Sequence, residues 1–263
     1  MTNGNFKDFN DELRKLSPLV LCLTNFVTVT DVANALLAIG ASPVMGDDPS
    51  DVQALASIAS ALVLNIGTIN DRRQDIMMSA AKVARERKMP IVFDPVGAGA
   101  SQRRLAACRN IIDAKPTIIR GNSSEILALC GNAGIQKGVD ASDIINIEIL
   151  SSKASELSIA TGAIVAVTGP TDIATDGKTL LAIEGGTPLL TSLTGTGCLL
   201  TAMIAAYAGA TPDKPLLATA AALTHLARAG EKALTGLPHP RALGTYKAQL
   251  FDQLAILAGS EIE

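Results

Sequence analysis

Aromatic residues are scarce in this sequence, and tryptophan is absent. Phe, Trp and Tyr make up 3% of the 263 residues, whereas hydrophobic residues as a whole make up 48%. The core therefore has to be built from Ala, Leu, Ile and Val, which is typical of helices packed on a parallel sheet. A chain of this length can bury one large core without a second domain, so we expect a single domain over residues 1–263.

The sequence also lacks a strong charge and a long apolar run. Its formal net charge is −3, which gives no electrostatic reason to expect nucleic acid or an anionic membrane as a partner. No apolar run approaches the roughly 18–20 residues that a membrane-spanning helix requires. Residues 1–16 are polar apart from apolar side chains at helical spacing, so they predict an amphipathic helix and not a signal peptide.

Paired cysteines and histidines with catalytic spacing are missing as well. The four cysteines are far apart in the sequence: Cys22, Cys108, Cys130 and Cys198. Their spacing indicates neither a zinc site nor a disulfide framework, so we expect a reduced, cytoplasmic protein. The only histidines are His225 and His239, and neither H-E-x-x-H nor G-x-S-x-G occurs. A Ser-His-Asp mechanism is therefore poorly supported.

What the sequence does contain is an alternation of short apolar runs with longer amphipathic or Ala-rich ones. The apolar runs predict strands at 18–24, 60–67, 90–97, 116–122 and 163–169, with helices between them. Continuous apolar strands separated by helices indicate an α/β fold with a mostly parallel sheet and helices on both faces. Residues 171–186 predict a small antiparallel edge hairpin, and three further helices are expected near 197–209, 213–235 and 240–258.

Polar residues and glycines follow the predicted strands at the point where each strand ends. Because the carboxyl ends of parallel strands lie at one edge of a sheet, we expect a shared rim there. The rim residues are Asn25, Gly67, Asp94, Arg120, Gly121, Asn122, Thr168 and Gly169. Turns and helix caps would explain each residue singly, but an Asp, an Arg and Thr-Gly turns on one edge favour a ligand site.

The stretch "LTGTGCLL" (193–200) combines two glycines and a cysteine at a predicted helix start. Gly195 and Gly197 flank Thr196, and free backbone N–H groups together with the helix dipole favour an anion there. Cys198 is expected to have a lowered thiol pKa at this place, so it is a candidate nucleophile or general base. The alternative is a tight turn with an inert thiol.

Two carboxylates are candidates for a magnesium site. Asp94 ends a predicted strand, and Glu125 follows the strand at 116–122, so together they could hold Mg²⁺, mostly through water. Asn122 and Glu125 also fit a capping box, in which both would only stabilise a helix start. Met45, in "GASPVMGDD", is expected after a proline turn, either as a core residue or as a wall of the substrate site.

The common nucleotide-binding motifs are absent from the sequence. The segment "DGKT" (176–179) lacks the earlier glycine of a P-loop and lies in the predicted hairpin. Neither "GAGASQ" (97–102) nor "GTGCLL" (195–200) completes G-x-G-x-x-G, so no dinucleotide fingerprint is present.

Seven segments, taken in order, resemble one family. They are "CLTNFVTVTDVANALLAIGASPVM" (22–45), "ALVLNIGT" (61–68), "FDPVGAGAS" (93–101), "IIRGNSSEI" (118–126), "GVD" (138–140), "AVTGPTD" (166–172) and "TGTGC" (194–198). The ordered set resembles hydroxyethylthiazole kinases, which are enzymes of thiamine salvage with the ribokinase-like fold. The resemblance covers nearly the whole chain and is weakest toward its carboxyl end.

The resemblance implies that ATP phosphorylates the primary alcohol of 4-methyl-5-(2-hydroxyethyl)thiazole, with Mg²⁺. It implies an anion hole for the transferred phosphate at residues 195–197. Cys198 stands where related sugar kinases place an Asp general base. The resemblance implies that Met45 and Gly195 contact the thiazole, with Asn25 nearby. It implies that Arg120 and Thr168 bind ATP, with Asn122 beside them. Asp94 and Glu125 would serve the magnesium ion.

The resemblance also implies an assembly. Members of the family are generally homotrimers with sites at subunit interfaces, so the turn at 65–68, with Gly67 and Thr68, is expected to reach the site from a neighbouring chain. Two segments beside the substrate region depart from the family pattern. Phe26 follows Asn25 where many relatives have Asp or Tyr, and the loop after Met45 is more acidic than is common.

Three other functions stay open on the sequence alone. One is another ribokinase-like activity, such as a hydroxymethylpyrimidine kinase or the ADP/ATP-dependent dehydratase that repairs hydrated nicotinamide nucleotides, although these usually keep Asp at the position of Cys198. The second is a thiol-dependent acyl transferase or hydrolase, which would need a histidine near Cys198. The third is a non-enzymatic thiazole-binding protein, in which Arg120, Asp94 and Glu125 would have no purpose.

Overall fold

Eight strands form one sheet in the computed structural model, which describes residues 3–131 and 146–259. In chain order they are β1 (Leu19–Leu23), β2 (Ser42–Met45), β3 (Ala61–Asn65), β4 (Ile91–Asp94), β5 (Ile118–Asn122), β6 (Ile164–Thr168), β7 (Asp172–Thr175) and β8 (Leu180–Ile183). Their order across the sheet is β2-β1-β3-β4-β5-β6-β7-β8. The first six strands run parallel, and β7 and β8 add an antiparallel hairpin at the edge beside β6.

Ten α-helices of the described residues cover both faces of this sheet. They are α1 (Asn3–Leu16), α2 (Val29–Ala38), α3 (Val52–Ile58), α4 (Asp71–Glu86), α5 (Gln102–Asp113), α6 (Ser123–Leu129), α7 (Ile147–Thr161), α8 (Thr196–Ala210), α9 (Pro215–Lys232) and α10 (Leu243–Gly259). Helices α1, α2, α8, α9 and α10 share one core, and α3 to α7 share the other. The predicted α/β fold is confirmed, including the helices on both faces and the antiparallel edge.

The central strands are apolar on both sides because helices cover both faces. In β3, Val63 points into the core of α8, whereas its neighbours Leu62 and Leu64 point into the core of α4. All five residues of β3 are buried. A strand whose successive side chains alternate between two cores reads as a continuous apolar run, which is why the sequence predicts these strands well.

Helix α8 is buried on all sides and packs against β1, β3 and β4. Small residues allow the close approach, since a Cβ on Gly209 would lie 3.2 Å from the Cβ of Ala61. A helix without a polar face belongs in the interior of a protein. Its burial fixes the direction of the helix, so its amino-terminal end is held at a defined place on the edge of the sheet.

Two elements, β2 and α3, were not among the predicted ones. Strand β2 contains Pro43, which is tolerated because β2 is an edge strand that pairs with β1 alone. Met45 is the last residue of β2 and lies in register with Cys22, so the expectation that it follows a proline turn is wrong.

The structure bears on two further expectations. In the described part of the chain, no helix combines the length and the apolar character that crossing a membrane requires. The segment "GVD" (138–140), one of the seven that carry the family resemblance, lies outside the described residues.

Candidate active site

The carboxyl ends of the parallel strands bring the predicted rim residues to one edge. Because β2 and β3 lie on opposite sides of β1, the direction of strand addition reverses there, and α/β sheets open a ligand crevice at such a point. Asn25 follows β1, Asn65 ends β3 and Asp94 ends β4. The start of α8 reaches the same edge, since the thiol of Cys198 contacts both asparagines.

A glycine turn with free backbone N–H groups begins α8. Gly195 has a φ of +91°, and a Cβ there would lie 2.7 Å from Thr28 Cγ2, so both the conformation and the space require glycine. The N–H of Leu199 donates to Gly195 O at 2.8 Å, which leaves the three preceding N–H groups without an acceptor in the helix. Thr196 Oγ1 donates to Leu190 O at 2.9 Å, so this hydroxyl fixes the turn.

The guanidinium of Arg120, on β5, lies against this turn. A Cβ on Gly197 would be 2.5 Å from Arg120 Nη1, so the cation occupies the space beside that glycine. Arg120 is only 8% exposed, and its Nη2 donates to Thr168 Oγ1 at 2.6 Å. Its Nε has no hydrogen-bond partner among the described residues. A buried cation and free N–H groups therefore stand together, and both favour a bound anion.

Two amide side chains hold Cys198. Asn25 Nδ2 and Asn65 Nδ2 each lie 3.3 Å from Cys198 Sγ and donate to it. Asn25 Nδ2 also donates to Asn65 Oδ1 at 3.0 Å, and Asn65 Nδ2 donates to Asp94 Oδ2 at 2.8 Å. Asn25, Asn65, Asp94 and Cys198 therefore form one hydrogen-bonded group, which we call the rim group.

Asp94 is the fully buried member of the rim group. Burial raises the pKa of Asp94 to about 6, with the positive charge of Arg120 as the largest opposing influence and the charge of Glu125 adding to the rise. Thr201 Oγ1 donates to Asp94 Oδ2 at 2.8 Å. The other oxygen, Oδ1, has no donor among the described residues. One carboxylate oxygen is thus engaged by the protein and the other is available to a ligand.

The expectation of a lowered thiol pKa at Cys198 is wrong. Burial raises the pKa of Cys198, and the nearby charge of Asp94 raises it further. Hydrogen bonds from Thr28, Asn65 and Asn25 act in the opposite direction but do not reverse the shift. The thiol is therefore protonated at neutral pH, because even an unperturbed cysteine ionises only near ~8.5.

Glu125 is engaged by backbone N–H groups. Its Oε1 accepts from Gly97 N at 2.9 Å and its Oε2 accepts from Asn122 N at 2.8 Å. The N–H of Glu125 donates to Asn122 Oδ1 at 2.9 Å, so the capping box considered as the alternative is present at the start of α6. Glu125 still lies close enough to Asp94 to raise its pKa, so it contributes to the electrostatics of the rim.

The expected substrate residues lie on the same edge, but not all of them join the rim group. Gly67 N donates to Asn65 Oδ1 at 2.9 Å, and a Cβ on Gly67 would lie 2.8 Å from Asn25 Cβ. Asn65 therefore reaches Cys198 within its own chain, so for Asn65 the expected entry from a neighbouring chain is wrong. Gly67 lies beside Asn25 and Asn65 of the same chain. Met45 and Thr68 lie outside the rim group.

Thr201 was not predicted as a site residue, and Asn65 was expected only as part of the turn at 65–68, without a role of its own. The signal for Asn65 was present, since an amide closes the otherwise apolar strand in "ALVLNIG" (61–67). Thr201 carried no such signal, because a single threonine inside an apolar helix is usual. Only the packing of α8 on the sheet shows that its hydroxyl meets Asp94.

Comparison with solved structures gives the class of fold. A ribokinase-like superfamily protein from Enterococcus faecalis superposes with a TM-score of 0.65 at 11% sequence identity, over 97% of this chain and 95% of that one. At this identity the likeness concerns the fold alone. The protein described here is therefore an α/β protein of ribokinase-like fold, as the sequence predicted.

More similar proteins give the family. The structure of a hydroxyethylthiazole kinase from Pyrococcus horikoshii OT3 superposes with a TM-score of 0.86 at 35% identity, over 95% of this chain and 92% of that one. A hydroxyethylthiazole kinase from Clostridium acetobutylicum is 40% identical, over 98% of this chain and 96% of that protein. The hydroxyethylthiazole kinase family model matches residues 11–259. The chain belongs to the hydroxyethylthiazole kinase family.

Proposed function

We propose that this chain transfers a phosphoryl group from ATP to the primary alcohol of 4-methyl-5-(2-hydroxyethyl)thiazole, a step of thiamine salvage. One observation carries the proposal: the free N–H groups at the start of α8 and the guanidinium of Arg120 lie beside the rim group. Catalysis of phosphoryl transfer consists mainly of positioning and of charge stabilisation, and this arrangement supplies both. Membership of the family supports the choice of ATP and of the thiazole alcohol.

In this proposal the anion hole lies at Gly195, Thr196 and Gly197. The free N–H groups at the start of α8, those of Thr196, Gly197 and Cys198, face the transferred phosphate, and Arg120 neutralises its charge. Thr168 contributes through Arg120, because its hydroxyl accepts from the guanidinium and donates to Gly121 O at 3.4 Å. We place Asn122 on the ATP side as well, since it stands two residues after Arg120 on β5.

Of the two carboxylates that we propose for magnesium, Asp94 would bind the ion, and Glu125, whose oxygens accept from Gly97 N and Asn122 N, would act on it mostly through water. The Oδ1 of Asp94 is buried without a donor among the described residues, which is where a cation would be stabilised. No group of three or more His, Cys, Asp or Glu side chains in that part of the chain could hold a metal by itself. This suits magnesium, which usually takes one or two carboxylates together with water and substrate phosphates. When bound, the ion would neutralise the negative charge of the phosphates.

Asn25 and Cys198 are placed to orient the reacting alcohol in this proposal. The thiol is protonated at neutral pH, so it does not take the alcohol proton before the transfer begins. A loose transition state does not require early loss of that proton. Cys198 then contributes a fixed polar contact, and most of the rate comes from the anion hole and the cations.

We further propose that the chain works as a homotrimer of single-domain subunits in the cytoplasm. Met45, Gly67 and Thr68 would contribute walls of a substrate site that a second copy completes. Phe26 and Val27, directly after Asn25, are 73% and 60% exposed. Adjacent exposed apolar side chains beside a site are typical of an interface between copies, and they support this arrangement.

The proposed function is tested by product analysis. The protein is incubated with ATP, Mg²⁺ and the thiazole alcohol, and the release of ADP and the mass of the phosphate ester are measured. Parallel reactions contain a hydroxymethylpyrimidine alcohol or a hydrated nicotinamide nucleotide. We expect turnover of the thiazole alcohol. If one of the alternative substrates is turned over and the thiazole alcohol is not, the proposal is overturned.

The structure argues against the thiol-dependent alternative. An acyl transferase using Cys198 needs a histidine beside it, but His225 is fully buried and both its ring nitrogens are engaged, by Tyr207 Oη at 2.6 Å and by Leu254 O at 3.0 Å. A pure binding protein would show thermal stabilisation by the thiazole alcohol without any release of ADP, so the same assay separates this third alternative.

A further inference from the structure

A second arginine links two segments of the rim. Arg73 lies in the first turn of α4, where Asn70 caps the helix by accepting from Arg73 N at 2.9 Å. Its side chain is only 13% exposed. Arg73 Nη2 donates to the carbonyl of Thr24, and Nη1 lies 3.6 Å from Asp47 Oδ1. One guanidinium therefore contacts the chain that follows β1 and the loop that follows β2.

Both segments carry residues that we assign to the substrate. Thr24 directly precedes Asn25, and Asp47 follows Met45 by two residues. The loop between Met45 and Asp47 lies close on β1, since a Cβ on Gly46 would be 2.8 Å from Leu23 Cδ2. The position of this loop relative to Asn25 therefore depends on a contact that reaches both segments, and Arg73 makes one.

The neighbouring Arg72 makes a different set of contacts. Its Nη2 donates to Asp47 O at 2.7 Å, and its Nη1 lies 3.5 Å from Asp47 Oδ2, but it is 56% exposed. Exposed ion pairs contribute little, because water and salt screen them. Arg72 contacts only the loop that follows β2, whereas Arg73 contacts both that loop and the chain after β1. Arg73 can do so because a planar guanidinium bridges two acceptors at once.

We propose that Arg73 is a positioning residue that sets the distance between the Asn25 side and the Met45 side of the site for the alcohol substrate. This inference rests on the proposed function. Arg73 acts on the acceptor side of the site, whereas the anion hole and Arg120 act on ATP. Its removal therefore weakens binding of the alcohol and leaves binding of ATP unchanged.

The test compares Arg73→Ala, Arg73→Lys and the matched control Arg72→Ala in steady-state kinetics with both substrates varied. We expect Arg73→Ala to raise KM for the thiazole alcohol about tenfold, the order expected when a binding surface moves, with KM for ATP and kcat within about twofold. The KM of Arg73→Lys for the thiazole alcohol should lie between those of wild type and Arg73→Ala, because one ammonium group cannot span Thr24 and Asp47 as the planar guanidinium does. Arg72→Ala should stay within about twofold of wild type throughout.

Each result separates this inference from the proposed function. If the wild-type protein does not phosphorylate the thiazole alcohol, the proposed function fails and the inference fails with it. If the wild type is active and Arg73→Ala keeps its KM for the alcohol, or raises both KM values equally, only the inference is overturned. If circular dichroism shows that Arg73→Ala does not fold, the same criteria are applied to Arg73→Lys.

Discussion

Cys198 receives two amide N–H groups and yet keeps its proton at neutral pH. We therefore expect Cys198→Ala to lower kcat by less than about tenfold, whereas loss of a true general base would cost roughly 10²–10⁴-fold. Cys198→Asp should remain active, because Asn25 and Asn65 would donate to a carboxylate as they do to the sulfur. Steady-state kinetics measure kcat for each variant, with Cys130→Ala as the control cysteine. A loss of about 10³-fold in the kcat of Cys198→Ala would show that the thiol is the general base.

Arg120 is the buried cation at the turn, and Thr168 holds it. We expect Arg120→Ala to raise KM for ATP about 10–100-fold, since hydrogen bonds from a charged group contribute roughly 1.5–3 kcal/mol. Thr168→Val should raise the same KM less, because the cation remains. Neither change should raise KM for the alcohol comparably. An effect confined to the alcohol would place Arg120 on the wrong substrate.

The start of α8 has room for no side chain at Gly197, because Arg120 Nη1 fills that space. We expect Gly197→Val to lower kcat/KM at least about 100-fold by displacing the guanidinium from the anion hole. The matched control is Gly244→Val in α10, where nothing lies within 4 Å of a new Cβ. Circular dichroism checks the folding of both variants. A folded Gly197→Val protein with near-normal kcat would show that the turn is purely structural.

The sequence predicted the elements whose residue pattern is distinctive by itself. It did not predict features that depend on where an element lies in the assembled sheet. Strand β3 and helix α8 were predicted because burial on both faces leaves a continuous apolar pattern. Strand β2 was missed because it has only four residues and contains Pro43, which is acceptable only at a sheet edge. The pKa of Cys198 was predicted in the wrong direction because the sequence does not reveal its burial or its distance from Asp94.

Two buried groups give the whole molecule opposite responses to acid. Burial lowers the pKa of His225 to about 4, helped by the positive charge of Arg228. As the pH falls from ~6.5, the unfolded chain binds a proton that the folded chain does not accept until about pH 4, so this contribution to stability is lost over that range. Burial raises the pKa of Asp94 to about 6, so the folded state binds the proton first and gains stability as the pH falls from 6.

We predict that replacing either His225 or Asp94 leaves the pH dependence of the other as the larger effect on stability. Urea unfolding gives, for each protein, the change in the free energy of unfolding from pH 7 to pH 4.5. In His225→Gln this change should be more favourable than in wild type by about 2–3 kcal/mol, because the destabilising histidine is gone. In Asp94→Asn it should be less favourable than in wild type, because the stabilising aspartate is gone. Comparing each protein with itself at two pH values removes the constant cost of the substitution. Equal pH dependence in all three proteins would contradict both shifts.

The exposed Phe26 beside Asn25 leads to a prediction about assembly. Light scattering at micromolar concentration should give about three times the chain mass of 27.1 kDa. Phe26→Asp should lower that mass and the activity together, because a charge opposes burial of this surface. The control is Ile159→Asp in α7, where the side chain is also well exposed. A fully active monomer would rule out the trimer as the working form.

The short, proline-containing strand β2 has a consequence for behaviour at high concentration. An open sheet edge is a template on which a strand of another molecule can add, and such addition leads toward aggregates. Here the edge offers four residues, and Pro43 has no N–H to donate. An incoming strand finds too few donors and acceptors to form a stable ladder. Crowded copies of this chain are thus discouraged from joining their sheets through the β2 edge.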